Sequence, residues 1–161
     1  MSWEMISFES FMQKGIDYIG VNCAFVCHDG QGRILLHKRS ENCRDEHGRW
    51  DCGAGALEHG ESFEDAVKRE VFEEYGTKPI QISYMSTENV LRKSENRMTH
   101  WVCNRYLVLV DPEQVQIGEP EKIDEIGWFE IDSFPEPLHS VFANEVKQIK
   151  HHLARYALTE N

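Results

Sequence analysis

The order of apolar and polar residues predicts two β-strands near the start of the chain. Residues 16–27 read IDYIGVNCAFVC and residues 33–39 read RILLHKR, two short stretches rich in β-branched, aromatic and aliphatic residues. The five residues between them, HDGQG, carry the glycines and the aspartate that are typical of a tight turn. We therefore expect a hairpin at this point.

Four further strands are predicted along the chain. They cover residues 50–52, 80–91, 101–110 and 126–131. The second and third of these are separated by the polar run KSENRMTH, which we expect to be a connection. Residues 40–49 and the glycine-rich run 53–61 are expected to be loops.

Two helices complete the predicted elements. Ser62 is a favourable N-cap, and Asp65 stands where a capping box needs an acidic side chain. Gly76 is a typical stop after the first helix. The second helix covers residues 141–158 and is apolar on one face. Because the chain shows no repeat and no linker, we predict one α+β domain over residues 1–161, with a mixed central β-sheet.

Composition and charge exclude several classes of protein. The 161 residues are 40% hydrophobic, which suffices for a core, but no run is long and apolar enough for a membrane span. Glu4 and Glu9 stand where a signal peptide needs basic residues, so we expect a cytoplasmic protein. The net charge of -11 disfavours binding to nucleic-acid polymers. Small phosphorylated ligands remain compatible with it if a metal ion mediates.

The cysteines point to a reducing compartment. There are five of them, an odd number, and none forms a CxxC pair with zinc-site spacing: Cys23, Cys27, Cys43, Cys52 and Cys103. Cys23 and Cys27 lie in an apolar run, where residues four apart on a strand share a face. We expect small buried hydrophobic side chains there.

The first helix carries carboxylates on its apolar face. At 100° per residue, Glu73 and Glu74 lie within about 60° of Glu70, on the same stripe as Ala66 and Val67. An ordinary amphipathic helix keeps its charges on the opposite side. These glutamates are either solvated groups on a projecting helix end or ligands of a cation. A hard divalent cation, Mg²⁺ with Mn²⁺ as substitute, would neutralise the cluster.

The loop before the helix favours the cation. Gly53 and Gly55 permit close backbone approach to a ligand, and the loop carbonyls can add neutral oxygen donors. Glu58 and Glu61 bring two more carboxylates directly before the helix. A glycine-rich loop or an acidic helix alone would be weak support. Their occurrence side by side indicates a metal site.

These residues resemble the signature of the Nudix (MutT-like) hydrolases. Gly55 is followed after five residues by Glu61, and after seven more by the run REVFEEYG at 69–76. Every fixed position of the signature matches over the box 55–77, and only Thr77 departs, at a position where the family prefers an aliphatic residue. The resemblance implies an α/β/α sandwich and Mg²⁺-dependent cleavage of a nucleoside diphosphate linked to another group.

The resemblance also implies roles for individual residues. It assigns metal binding to the carboxylates of the box and to one backbone carbonyl: Glu61, Glu70, Glu73, Glu74 and Ala54. Glu70 would act as a ligand or as the base that orients the attacking water. Arg69 would hold the carboxylates in place through charge-assisted hydrogen bonds. Gly55 would lie against the substrate, and a homodimer is plausible by resemblance.

Two further site residues lie outside the box. Arg39, at the end of the second strand, is a phosphate ligand by resemblance, or an ordinary surface arginine. In some members the base comes from a distant acidic loop, for which Glu121 is the candidate here, with Glu119 and Glu125 as neighbours. A solvated acidic loop is the alternative. Three tryptophans could stack on a base, although strand tryptophans are more often core residues: Trp50, Trp101 and Trp128.

Substrate choice rests on weaker signals. The proline typical of ADP-ribose hydrolases beyond the box is absent, and the region reads VLRKSEN. The segment EPEKIDEIGWFEIDSFP is similar to one in house-cleaning nucleoside triphosphate diphosphatases. We therefore expect a nucleoside or deoxynucleoside triphosphate as substrate, with ADP-ribose or a nucleotide sugar as the alternative.

Two other functions remain open on the same fold. An isopentenyl diphosphate isomerase would use a cysteine near the loop, which would be Cys52, but those enzymes lose the REVFEE glutamates that this chain keeps. A non-catalytic nucleotide sensor usually loses one or more of the glutamates as well. The intact box favours the hydrolase over both.

Overall fold

A computed structural model describes residues 12–94 and 96–159 of the chain, and its centre is a mixed β-sheet. The strands are β1 (Gly20–His28), β2 (Arg33–Arg39), β3 (Trp50–Asp51), β4 (Gly53–Ala56), β5 (Gln81–Ser94), β6 (Arg97–Leu109) and β7 (Ile123–Glu130). The helices are α1 (Phe63–Tyr75) and α2 (Ser140–Thr159), with a 3-10 turn at Pro112–Gln114. The sheet and the two helices agree with the α+β class and the mixed central sheet expected from the sequence.

The seven strands described form one sheet with a branched order. Its main path is β3-β2-β1-β6-β5, while β4 pairs with β1 and β7 pairs with β2. β1 and β6 run parallel, with Gly20 opposite Trp101 and His28 opposite Leu109. The pairing register of β1 with β2 joins His28 to Ile34, whereas the earlier part of β1, from Asn22 to Phe25, pairs with β4. This divergence opens the sheet where the glycines of β4 lie.

Each face of the sheet has its own core. Alternate residues of β1 divide between them, because successive side chains on a strand point to opposite faces. Cys23, Phe25 and Cys27 pack with the apolar residues of α1, as expected for the two cysteines. Val26 packs with Phe142 of α2 on the other face. The arrangement is therefore helix, sheet, helix.

The structure corrects several predicted boundaries, three of them by four residues or more. The expected loop 53–61 begins with strand β4, which pairs with β1 from Gly53 to Ala56. The polar run expected to connect two strands is mostly strand, because β5 continues to Ser94 and β6 starts at Arg97. The first strand starts at Gly20 rather than Ile16. The prediction relied on local polarity, whereas cross-strand hydrogen bonding determines these three boundaries.

Among the described residues, no helix is long and apolar enough to cross a membrane. The residues on which the signal-peptide argument rests, Glu4 and Glu9, lie outside the described residues.

Candidate active site

Helix α1 begins and ends where the sequence predicts. The Ser62 hydroxyl accepts a hydrogen bond from the Asp65 backbone N–H at 3.1 Å and donates one to the Asp65 carboxylate at 2.7 Å. Gly76 ends the helix with a left-handed φ of 63°, and its N–H donates to the Phe72 carbonyl at 2.9 Å. These caps fix the length and rotation of α1, and hence the direction in which its glutamates point.

The inward face of α1 carries two buried carboxylates. Glu70 is 9% exposed and Glu74 is 7% exposed, and they lie on the same side as the fully buried Val67. Glu73, at the edge of the stripe, keeps 45% of its side chain exposed. Helical geometry therefore places the three glutamates on the face that the sequence analysis expected, but only Glu70 and Glu74 are buried.

These two carboxylates pack against strand β4. A Cβ added at Gly55 would lie 1.8 Å from the Glu70 carboxyl carbon, and one at Gly53 would lie 2.6 Å from Glu74 Oε2. The Ala54 N–H, between the two glycines, donates to Glu74 Oε1 at 3.4 Å. Gly55 is required here because the Glu70 carboxylate occupies the space that a Cβ would fill. At Gly53 that space is taken first by the Phe25 ring, 2.1 Å away, and then by Glu74.

Gly55→Ala should displace the Glu70 carboxylate from its place against β4. We expect a loss of turnover of about 10²-fold, because a shift of about 1 Å in a reacting group has that effect. Steady-state kinetics of purified protein measures it. Gly127→Ala is the matched control, since a Cβ at this strand glycine would meet only the ring of Phe129. Equal activity of the Gly55→Ala variant and wild type would contradict the role given to Gly55.

Arg69 ties the acidic groups together. Its Nε and Nη2 donate to the two carboxylate oxygens of Glu61 at 2.8 and 3.0 Å. Its Nη1 donates to Glu70 at 2.5 Å and to Glu73 at 3.2 Å, and Nη2 also donates to the Ala56 carbonyl. One guanidinium thus holds three of the carboxylates that the sequence analysis assigned to it.

Burial dominates the electrostatics of the two inner glutamates. Burial raises the pKa of Glu70, although the Arg69 guanidinium opposes the shift. Burial and the nearby Glu70 charge raise the pKa of Glu74 well above its usual value. Glu74 Oε2 is buried and has no hydrogen-bond partner. In Glu61, by contrast, the hydrogen bond from Arg69 lowers the pKa.

The donor set fits a hard divalent cation. An orphaned buried carboxylate oxygen, a second buried carboxylate and the exposed backbone of β4 are the oxygen ligands that Mg²⁺ and Mn²⁺ prefer. In residues 12–94 and 96–159, no group of three or more His, Cys, Asp or Glu side chains is arranged so that it could hold a metal ion as it stands.

A cavity of about 480 Å³ opens in front of these groups, and we call it the acidic cavity. Its acidic and basic lining residues are Glu58, Glu70, Glu73, Glu74, Glu119, Lys14, Arg39, Arg44, Arg69 and Lys122. Glu61 and Glu121 do not line it. The Glu121 carbonyl instead accepts hydrogen bonds from Ser40 and Asn42, which fixes the backbone of this loop. Of the acidic loop, Glu119 reaches the cavity, and Lys122 pairs with it at 2.8 Å.

Arg39 is held by acidic partners. Its Nη2 lies 3.0 Å from Asp45 Oδ1, and its Nη1 lies 3.6 Å from Asp51 Oδ2. It also donates two hydrogen bonds to the Asp45 carbonyl. Arg39 lines the acidic cavity, but these bonds engage much of its guanidinium.

A second cavity of about 270 Å³ lies on the α2 face of the sheet, and we call it the sheet cavity. Its floor comes from alternate residues of the strands, and its walls from the loop 40–49 and the start of α2. The lining includes Asn22, Ala24, Ala56, Val90, Trp101, Cys103, Phe142 and Glu145. Asn22 Oδ1 is buried there without a hydrogen-bond partner. The two cavities share Arg39, Arg44 and residues 54–56 of β4, so one ligand could reach both.

A charged cluster in the wall of the sheet cavity was missed by the sequence analysis. Asp51 lies between Arg39 and His139, and burial raises the pKa of its carboxyl to about 7. Arg92 from β5 pairs with Asp45 and Glu46. These partners are far apart in the sequence, and no spacing rule connects them.

Cys52 is poorly placed as an acid or a nucleophile. Its side chain is buried, with 7% of the residue exposed, and burial raises the pKa of its thiol well above the usual value. A reactive cysteine needs the opposite shift, toward the thiolate. Cys52 lines the sheet cavity, but its raised pKa disfavours the thiolate that a nucleophilic cysteine needs.

The tryptophans and the remaining cysteines divide between core and cavity. Trp50 packs in the α2-side core against Phe129, and Trp128 packs against the α1-side core. Trp101 lines the sheet cavity. The five cysteines are free thiols.

The fold is an α/β/α sandwich, because the sheet lies between two helices. Its cleft is an acidic site, because carboxylates point into it. The chain belongs to the Nudix family: the NUDIX domain model matches residues 19–150. Members of this family hydrolyse phosphorus-containing anhydrides. The family assignment made from the signature is thereby confirmed.

Curated relatives and a solved structure are similar to the chain. It is 30% identical over 105 residues to an NAD-capped RNA hydrolase of Chromobacterium violaceum, covering 65% of this chain and 36% of that protein. It is 30% identical over 104 residues to an uncharacterised Nudix hydrolase of Yersinia pestis, covering 64% and 54%. The chain thus spans about a third to a half of these relatives. A MutT Nudix hydrolase structure from Burkholderia pseudomallei is 28% identical with a TM-score of 0.72, covering 82% of this chain and 98% of that one.

Proposed function

We propose that the chain is a Mg²⁺-dependent pyrophosphohydrolase that splits a nucleoside or deoxynucleoside triphosphate into the monophosphate and pyrophosphate. The observation that carries the proposal is the buried, unpartnered Glu74 Oε2 beside Glu70, against the glycines of β4. Burying such a group without a partner is costly, so its presence favours a bound cation.

The chain's own residues supply positioning and charge. Glu70, Glu73 and Glu74, with the Ala54 carbonyl and Glu61, would hold Mg²⁺ or Mn²⁺. When bound, the cation supplies charge neutralisation for the diphosphate and lowers the pKa of water. Arg69 fixes the rotamers of Glu61, Glu70 and Glu73, so that these groups need not reorganise when substrate arrives.

The side chain that accepts the proton of the attacking water lies in the acidic cavity. Glu70 is one candidate, because burial raises its pKa and so improves it as a base. Glu119 is the second, because it lines the cavity and its charge contributes to the raised pKa of Glu70. The Glu121 carboxylate does not line the cavity, so we assign this loop's contribution to Glu119 in its place.

The nucleoside half of the substrate would enter the sheet cavity. Its volume of about 270 Å³ lies just below the usual range for small-ligand pockets, which suits one flat group rather than a whole dinucleotide. Asn22 Oδ1 offers an unused acceptor for an N–H or O–H of that group. The diphosphate would then pass along β4 to the acidic cavity.

A substrate panel with product identification tests this function. Purified protein with Mg²⁺ is incubated with nucleoside and deoxynucleoside triphosphates, ADP-ribose, a nucleotide sugar and NAD, and the products are separated by chromatography. We expect monophosphate plus pyrophosphate from a triphosphate, lost in Glu73→Gln and retained in Cys52→Ala.

Other results of this panel would favour a different substrate or function. Hydrolysis of ADP-ribose or a nucleotide sugar alone would keep the site and overturn the triphosphate. No hydrolysis of any compound, with isomerisation of isopentenyl diphosphate that is lost in Cys52→Ala, would favour the isomerase. Metal binding abolished by Glu73→Gln, with no turnover of any compound by wild type, would favour the sensor.

A further inference from the structure

Most arginines around the two cavities have carboxylate partners. Arg39 pairs with Asp45 and Asp51, and Arg92 pairs with Asp45 and Glu46. The others with such partners are Arg69, held by the box glutamates, and Arg105, held by Glu145 and Glu88. In a chain with 28 acidic and 17 basic residues, this pairing is expected.

Arg44 is different from these arginines. Its side chain lines both cavities at their junction, and it forms no ion pair with any carboxylate in the described part of the chain. Its guanidinium carbon lies 5.9 Å from the centroid of the Trp101 ring, on the lining of the sheet cavity. Arg44 is exposed, in the loop between β2 and β3.

The contact of Arg44 with Trp101 is easily exchanged for hydrogen bonds to phosphate oxygens. An exposed cation over an aromatic ring is weakly held, whereas a guanidinium bonded to phosphate oxygens makes short, charge-assisted and often bidentate hydrogen bonds. Arg39, the phosphate ligand expected from the sequence, would first have to release Asp45 and Asp51. Arg44 has no such partner to release.

We propose that Arg44 is the residue that binds the diphosphate of the substrate at the junction of the two cavities, moving from the Trp101 ring to the phosphate oxygens. The proposal rests on the proposed function for the identity of the substrate. It assigns Arg39 a structural role in the cavity wall, and it makes Trp101 a reporter of binding.

Kinetics of Arg44→Gln provides the first test. KM should rise roughly tenfold to a hundredfold, the loss expected for one charged hydrogen-bonding partner, while kcat changes much less. Arg33→Gln is the matched control, because the Arg33 guanidinium also lies 5.9 Å from a tryptophan ring, that of Trp128, outside both cavities. An unchanged KM in Arg44→Gln would overturn the proposal.

Binding of inorganic pyrophosphate provides a test that does not need turnover. Tryptophan fluorescence is followed while pyrophosphate is added to protein in Mg²⁺. We expect a saturable change in wild type and in Arg33→Gln. It should be lost in Trp101→Phe, and it should require roughly tenfold more pyrophosphate or be absent in Arg44→Gln.

The two tests separate this inference from the proposed function. If no compound of the panel is hydrolysed but pyrophosphate changes the Trp101 signal through Arg44, the inference stands and the function fails. If wild type hydrolyses a triphosphate but Arg44→Gln keeps its KM, the function stands and the inference fails. If wild type shows no pyrophosphate-dependent Trp101 signal, or Arg44→Gln shows the same one, the inference is also overturned.

Discussion

Glu74→Gln is expected to lower the turnover of the preferred nucleotide by roughly 10³-fold, because one ligand of the cation contributes several kcal/mol to the transition state. The same change should leave the metal-free protein at least as stable as wild type. Burial raises the pKa of Glu74, which shows that the charged form is disfavoured in the fold, and the amide removes that charge. A residue kept only for stability would give the opposite result.

Thermal unfolding separates the two effects of Glu74→Gln. At a Mg²⁺ concentration of about 100 times Kd, binding stabilises the folded state by about 2.7 kcal/mol, which raises wild-type Tm by roughly 5–10 °C. The variant should lose most of this increase. Glu64→Gln is the control, since Glu64 is exposed on the same helix and pairs with Lys68. A Mg²⁺ shift in Glu74→Gln equal to that of wild type would contradict the metal assignment.

Arg105→Met is expected to lower the free energy of unfolding by about 3–5 kcal/mol, because it leaves a buried charge without its partner. Arg105 is 4% exposed and Glu145 is 8% exposed, and the Arg105 Nε donates to Glu145 at 2.6 Å. A second ion pair joins Arg105 Nη1 to Glu88 at 2.9 Å. Urea denaturation followed by circular dichroism measures the loss.

A second variant distinguishes a lost ion pair from a lost packing contact. The double variant Arg105→Met with Glu145→Leu removes both charges, so much of the stability should return. Lys150→Met, which breaks the exposed pair with Asp132, should change stability little. If the double variant is as unstable as the sum of the two single variants, the buried-charge explanation is wrong.

The sequence was sufficient to predict α1 and its site face. Ser62, Gly76 and the 3.6-residue period determine where the helix begins, where it ends and which side its glutamates occupy, and all of these are local properties. The roles expected of Arg69 and Gly55 came from the resemblance to the Nudix signature. The exposure of Glu73 was not predictable, because it depends on how far α1 projects beyond β4.

Features that depend on long-range pairing could not be predicted. Strand β4 looks like a loop in the sequence because GAGA has no strand character, and only its pairing with β1 makes it a strand. The contact of Asp51 with His139 joins positions 88 residues apart, and Arg44 meets Trp101 only through the fold. The domain extent 1–161, the homodimer and the cytoplasmic location stay predictions.

Hydrolysis of a nucleoside triphosphate in water labelled with ¹⁸O tests the central claim most directly. With Mg²⁺ present, we predict that the label appears in the monophosphate or in the pyrophosphate, with no turnover when EDTA replaces Mg²⁺. Both results follow if carboxylate-held cations support attack of water on the α–β anhydride. Label in orthophosphate, or turnover that persists in EDTA, would contradict the account.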